Sequence, residues 1–339
     1  MRLLFTKLKH IGDALIMTPM LTAVRTQYPE AEIHVVVRHG TEGILAGCPA
    51  IDYLHAAATP KGERQAGFWW RDLQLMGRLW RIGFDYAFEL GDGDRGRMIA
   101  WLSGAKQIYA NDTKAPINWW WRSRFTKFSN KQCSSSHRVE KDYTTVRLQL
   151  DLPREIPPLC FTQNDAEPWP DQSPFLLFHP ATRWQRKRWP TNRWIELGRK
   201  LAKDHDIVVS CGPETDEIDE AQAITEGIGK RASSTKGRLS WPQLAGALRA
   251  ANLFVGVDTA AMHLAAACQC PIVGLFGQSI VSQWRPWKAS CQIIHPGEWM
   301  SEKKISQHSA LEIMKEIPTD KVLTAAREMM RAPISKSVG

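Results

Sequence analysis

An apolar run from Leu253 to Val257 stops at Asp258-Thr259. A helix-like run of small residues follows, with His263 in its second turn, and a second apolar run, Pro271 to Phe276, closes at Gly277. That is strand, turn, short helix, strand. A chain built from such units has few folds open to it, because successive parallel strands need a crossover and the crossover is usually a helix. The free N–H groups at such a helix start, at the positive end of its dipole, attract anions such as a pyrophosphate. The crevice at the carboxyl ends of parallel strands is where doubly wound sheets bind ligands. The same residues also make an ordinary strand-to-helix joint, with Asp258 and Thr259 in capping positions.

The alternation occurs in both halves of the chain. Apolar runs at Arg2–Phe5, Ile33–Val37, Ile51–Leu54, Tyr86–Leu90 and Gln107–Tyr109 predict strands. Helices are expected from Asp13 to about Tyr28, with Pro19 either kinking it or starting its second part, and over Thr41–Gly47, Phe68–Ile82 and Met98–Leu102. Residues 60–67 read as a polar loop. Continuous apolar runs suit strands covered on both faces, so the sheet is mostly parallel with helices on either side. Residues 110–138 break the pattern, Arg138–Leu150 reads as a helix, and the Pro-rich, polar stretch 151–174 is the best linker candidate. Beyond it come strands at Phe175–Phe178, Ile207–Ser210, Leu253–Val257 and Pro271–Phe276, and helices at Asn192–Lys203, Asp216–Glu226, Trp241–Arg249 and Lys321–Arg331. The expected organisation is α/β, with Rossmann-like domains over 1–160 and 175–317, a linker over 161–174 and a C-terminal helical segment over 318–339. No sequence repeat relates the halves.

With 339 residues the chain can hold two domains of ordinary size. No uncharged apolar run approaches the ~20 residues of a membrane span. The opening MRLLFTKLKHIGD is too interrupted by charge for a secretion signal. Seven scattered cysteines without a CxxC read as reduced thiols in the cytoplasm, not as a disulfide frame or zinc site. Lys and Arg exceed Asp and Glu, 44 to 35, which suits an acidic partner: nucleic acid, anionic lipid or a phosphorylated substrate. The first strand lacks a GxGxxG, so a dinucleotide cofactor has little support.

Four constellations carry chemistry. Asp13, after Gly12, sits at a strand-to-helix turn, where a carboxylate serves either as general base or as helix cap. Arg183-Trp184-Gln185-Arg186-Lys187-Arg188-Trp189-Pro190 puts four cations after a strand end, a natural phosphate site if its two tryptophans anchor the loop. His263 either orients the Asp258 side chain, or touches a phosphate, or is a hydrogen-bonded core histidine. Asp92-Gly93-Asp94 has the form of a metal-chelating DxD, but two carboxylates among glycines make a turn equally well, and no metal is expected there.

IGDALIMTP near the N-terminus, HPAT followed by KRWP, and VDTAAMHLAAA resemble, in order and spacing over nearly the whole chain, glycosyltransferase family 9, the ADP-heptose:lipopolysaccharide heptosyltransferases. The resemblance implies a GT-B fold: two facing Rossmann-like domains with a cleft between them, the first for the acceptor and the second for the ADP-sugar donor. It also implies that the last helix packs back on the first domain. The implied reaction is inverting, metal-independent transfer of heptose from ADP-heptose to a heptose of the lipopolysaccharide inner core, with no cofactor. Asp13 matches the family's catalytic aspartate and Lys187 the lysine on the donor phosphates. Thr182 matches a hydroxyl position beside the diphosphate, and Asp258, Thr259 and His263 match the donor-site element. Ala260 stands where many members have Gly, which narrows the approach to the phosphate.

Acceptor binding is expected from Lys9, His10 and Gly12 beside Asp13, and from Arg38, Arg64, Arg122 and Arg124. Location and charge add His39 and Arg71. The aromatic and basic stretch 119–131 either rests on an anionic inner leaflet, grips acceptor phosphates, or is a packed excursion of its domain. The expected partners are ADP-heptose, a phosphorylated core acceptor and a transient inner-leaflet contact, without nucleic acid, in a monomer on the cytoplasmic face of the inner membrane. Other readings compatible with the sequence are a transferase for a UDP- or GDP-sugar, a basic nucleic-acid-binding protein, and a silent sugar-binding relative.

Overall fold

The computed structural model describes residues 1–58, 68–113, 116–129, 136–161 and 174–331, without the side chains of Phe68 and Trp69. The expected loop 60–67 with Arg64, and most of the expected linker, lie outside the described residues. The chain divides into two compact units, Met1–Asn164 and Asp165–Gly339.

The first unit carries the strands β1 (Arg2–Lys7), β2 (Glu32–Arg38), β3 (Tyr53–Ala57), β4 (Tyr86–Glu89), β5 (Gln107–Ala110) and β6 (Lys127–Phe128). They form one parallel sheet of order β3-β2-β1-β4-β5-β6. The second unit carries β7 (Phe175–His179), β8 (Asp206–Val209), β9 (Ala232–Ser234), β10 (Leu253–Val257), β11 (Ile272–Leu275) and β12 (Cys291–Ile294), ordered β12-β11-β10-β7-β8-β9. Counted from its own first strand, each sheet has the order 3-2-1-4-5-6, so two segments without sequence similarity take one topology. The central strands explain why: Leu3–Phe5, Val35–Val37, Leu176–Phe178 and Leu253–Val257 are buried throughout, as strands covered on both faces must be.

Several expected elements shift. The third strand, expected over Ile51–Leu54, runs over Tyr53–Ala57. Asp52 is held back by the Ile33 N–H at 2.7 Å and by Arg25 at 2.6 Å, which fixes the turn before it. Thr41–Gly47 gives only a single 3-10 turn, Glu42–Ile44. The first helix breaks at Met17 into Ile11–Ile16 and Thr18–Gln27, with Pro19 in the opening turn of the second, where its missing N–H costs nothing. β6, β9 and β12 were not foreseen; they are short, they end or border the sheets, and they lack a long apolar run.

The helix Thr319–Arg331 buries its apolar stripe in the second unit. Val322, Leu323, Ala325, Ala326 and Met329 join the core formed by Trp189, Trp194, Val273 and Leu275. Lys200 and Asp320, 2.8 Å apart, and Thr319, which donates to Glu196 at 2.7 Å, fasten the same face. Residues 332–339 lie outside the described residues.

Candidate active site

In each sheet the order reverses beside the first strand, between β1 and β4 and between β7 and β10. Loops diverge at such points, leaving a crevice at the carboxyl ends of the strands. Both crevices hold residues singled out above.

In the second unit, β10 ends at Val257 and Thr259 takes the N-cap position of the helix Ala260–Ala267, in extended backbone. Neither expected capping role is realised. The Thr259 hydroxyl makes no capping bond, and its buried oxygen has no partner among the described residues. Asp258 is buried, and its Oδ2 is held by the Lys187 ammonium and by the Ser279 hydroxyl, each at 2.6 Å. The helix start therefore keeps its N–H groups without a side-chain cap, beside a lysine. Ala260 is helical with negative φ and so carries no backbone strain. His263 is buried, its ring 6.5 Å from that of Trp284.

Lys187 ends the 3-10 turn Gln185–Lys187, in the loop after β7. Thr182, also buried, accepts the Trp184 N–H at 3.3 Å and lends its carbonyl to Arg188 at 3.2 Å. Arg188 is further neutralised by Asp216 at 2.6 Å and Glu220 at 3.2 Å. The loop is thus less positive than its sequence, with two cations paired. Only one of its tryptophans anchors it: Trp189 is buried and donates to the Ile317 carbonyl at 3.0 Å, whereas Trp184 is exposed beneath Arg186 and Arg183.

Sequence reasoning missed two groups on this rim. Ser279 follows β11 in a loop with no marked motif. Glu217, on the helix Thr215–Ile228, accepts the Gly212 N–H at 2.9 Å, and burial raises its pKa. Burial also drives His179, at the end of β7, down to about 4, so its ring is neutral at pH 7.

In the first unit, β1 runs into Leu8-Lys9-His10 and the helix Ile11–Ile16. Asp13 is the third residue of that helix and not its N-cap. Its Oδ2 accepts the His10 N–H at 3.2 Å, and Oδ1 has no hydrogen bond among the described residues. Gly12, Lys9 and His10 surround it at the surface. The carboxyl ends of β1, β4 and β5 carry a largely buried polar network that the sequence did not announce. Lys7 pairs with Asp142, and Asn111 donates to Asp142 at 3.1 Å. Lys141 meets Asp92 at 2.7 Å, Arg138 lies 3.5 Å from it, and Asp94 pairs with Arg97 at 2.9 Å. Asp92 and Asp94 are thus each turned to a cation. Glu89, fully buried, accepts the Gly91 N–H at 2.8 Å, and desolvation raises it to about 8.

The remaining acceptor candidates do not all gather here. Arg38 ends β2, and His39 beside it meets Glu42 at 2.9 Å. Arg122 lies 3.6 Å from Asp112, past the end of β5, and 5.4 Å over the Phe128 ring. Arg124 stacks 3.7 Å over Trp120 and 5.2 Å over Trp101. Trp101 is at the far end of a helix that starts at the carboxyl edge, so Arg124 faces away from the crevice. Arg71 is exposed on the helix Phe68–Ile82.

Residues 82–314 match the model of glycosyltransferase family 9 (heptosyltransferase). The chain is 24% identical over 333 residues to lipopolysaccharide heptosyltransferase 3 of Escherichia coli, covering 94% of this chain and 96% of that one. It is 27% identical over 294 residues to lipopolysaccharide heptosyltransferase 1 of Pseudomonas aeruginosa, covering 82% and 79%. Among solved structures, a family 9 glycosyl transferase from Veillonella parvula superposes with a TM-score of 0.81 at 20% identity, over 97% of each chain. The E. coli heptosyltransferase WaaC with ADP gives 0.79 at 18% identity, over 97% of this chain and all of that one. The fold is the GT-B type, with two Rossmann-like units.

Proposed function

Because the chain belongs to glycosyltransferase family 9, the heptosyltransferases, we propose that it transfers heptose from ADP-heptose to a heptose of the lipopolysaccharide inner core, with inversion and without a metal. The similarity to lipopolysaccharide heptosyltransferase 3 over nearly the whole chain supports lipopolysaccharide as the acceptor class. The first unit takes the phosphorylated acceptor, the second the donor, and the enzyme works as a monomer at the cytoplasmic face of the membrane.

The observation that supports the donor assignment is the uncapped helix start at Thr259 beside the Lys187–Asp258–Ser279 cluster. N–H groups at a helix start and an adjacent ammonium suit a diphosphate. In the proposed displacement the acceptor hydroxyl oxygen bonds to the anomeric carbon while its proton passes to the free Oδ1 of Asp13. The bond from that carbon to the diphosphate oxygen breaks, and ADP leaves with the electron pair. Lys187, drawn from Asp258 to the diphosphate, and the helix start meet the charge that develops, as preorganised electrostatics.

A transferase for a UDP- or GDP-sugar keeps the same fold and chemistry, so the nucleotide decides. Thermal unfolding with ADP, UDP or GDP, each with and without EDTA, separates them. A nucleotide at a hundred times its Kd adds about 2.7 kcal/mol. The expected result is a shift with ADP that EDTA leaves unchanged. A shift with UDP or GDP alone overturns the donor, and an ADP shift lost in EDTA overturns metal independence.

A further inference from the structure

The helix Phe68–Ile82 spends its one acidic residue inward. Asp72 is buried and held by Arg95, whose guanidinium approaches it at 2.7 Å. Leu75 and Leu79 are buried in the core with Trp121 and Phe125. The outward face is unusual for a protein surface. Trp70 is 69% exposed, Leu73 51% and Trp80 66%. Arg71, Arg78 and Arg81 are exposed beside them, and none pairs with a carboxylate among the described residues. At about 100° per residue, Trp70, Leu73, Gly77 and Trp80 fall along one side of the exposed arc, and Arg71, Gln74, Arg78 and Arg81 along the other. Large apolar side chains and cations are therefore segregated on a single solvent-facing helix face that carries no exposed acid among the described residues.

The surface continues beyond this helix. Trp80 packs over Gly104, where a Cβ would lie 2.6 Å from the indole. Trp101, three residues before Gly104, pairs with Trp120 at 5.4 Å between rings, and Trp119, 77% exposed, starts the helix Trp119–Arg122. Arg124 stacks on Trp120 and Trp101.

We propose that the outer face of the helix Phe68–Ile82 is a docking surface for an anionic lipid bilayer, lying in the headgroup plane with Trp70 and Leu73 inserted and Arg78 and Arg81 on the phosphates. Charge decides the occupant. A face with three exposed arginines and no exposed acid matches a negative sheet of phosphates, and the indoles suit the boundary between acyl chains and headgroups. The inference deepens the proposed function by naming the surface on which a lipid-linked acceptor is met. It gives the stretch 119–131 a secondary part at the margin.

The test is flotation of the full chain with vesicles of phosphatidylglycerol and phosphatidylethanolamine, against pure phosphatidylcholine vesicles, without nucleotide or acceptor. Binding to the anionic vesicles is expected, falling as salt rises. Two variants alter the face without touching the core: Trp70→Ser with Leu73→Ser, and Arg78→Glu with Arg81→Glu. Each is expected to lower partitioning by about tenfold or more, the first through lost apolar insertion and the second through lost attraction to the phosphates. The ADP-dependent melting shift is measured on the same variants and is expected to be unchanged, so failure of the donor reading and failure of the docking reading remain separate. Absence of vesicle binding by the wild type, equal binding by both variants, or a wild-type dimer that the variants dissolve would each overturn the proposal.

Discussion

Lys187 has two possible uses for one charge. In the free protein it lies 2.6 Å from the Asp258 carboxylate, which also takes the Ser279 hydroxyl. A diphosphate competes for the same ammonium. Lys187→Ala is expected to lower turnover by roughly a hundredfold or more, the size of one lost contact to developing negative charge. Steady-state kinetics with the lipid acceptor checks this, and near-wild-type turnover removes Lys187 from the chemistry. Glu89 offers a test of a different kind. Its folded pKa, about 8 against an ordinary 4.5, means that the folded state holds a proton which the unfolded chain has already lost over that interval. Its contribution to stability is therefore complete below about pH 4.5 and declines as pH rises toward 8. Glu89→Gln keeps an acceptor for the Gly91 N–H and abolishes the titration. The melting temperature of this variant should gain on the wild type steadily from pH 5 to pH 8; a constant difference across that range would show that Glu89 does not titrate there.

At the scale of elements, the helix Ala260–Ala267 separates stability from binding. Removing an N-cap hydroxyl ordinarily costs about 0.5–2 kcal/mol. Thr259 sits in that position without making the bond. Thr259→Ala should therefore leave stability within about 0.5 kcal/mol of wild type while weakening ADP roughly tenfold, the worth of about one hydrogen bond. A clear loss of stability with unchanged ADP affinity would mean that the hydroxyl serves the helix after all. This element also shows what was legible beforehand. Its strand, turn and helix could be read from residues 253–267 because burial on both faces leaves a continuous apolar run. The central strands of both sheets were legible for the same reason. The edge strand β6, only Lys127–Phe128, leaves no such trace. At the candidate site, motif residues were legible and their partners were not. Nothing local marks Ser279 or Asp142, which reach Asp258 and Lys7 only through tertiary folding. Nor did the sequence show that Asp13 stands third in its helix, or that Trp184 faces solvent.

For the molecule as a whole, two units of one topology have crevices of different character. The crevice beside β1 holds a dense network of paired charges, with Lys7, Lys141, Asp92 and Asp142 buried or nearly so. The crevice beside β7 offers an uncapped helix start and a lysine held by a single carboxylate group. A diphosphate gains more from the second, since entering the first would require prying apart ion pairs whose members are then left uncompensated in a buried place. If the proposed division of labour is right, ADP should slow hydrogen exchange in the segments 179–188 and 258–263. These hold the loop after β7, with Lys187, and the first turn of the helix after β10. The amides at the start of that helix are the most informative, because their N–H groups would change from solvent to phosphate as partner. Slower exchange over 7–16 with none at 258–263 would move the donor to the first unit and strip Lys187 of its role. Slower exchange at 258–263, reduced by Thr259→Ala, would tie the nucleotide to the helix start and leave Asp13 to the acceptor.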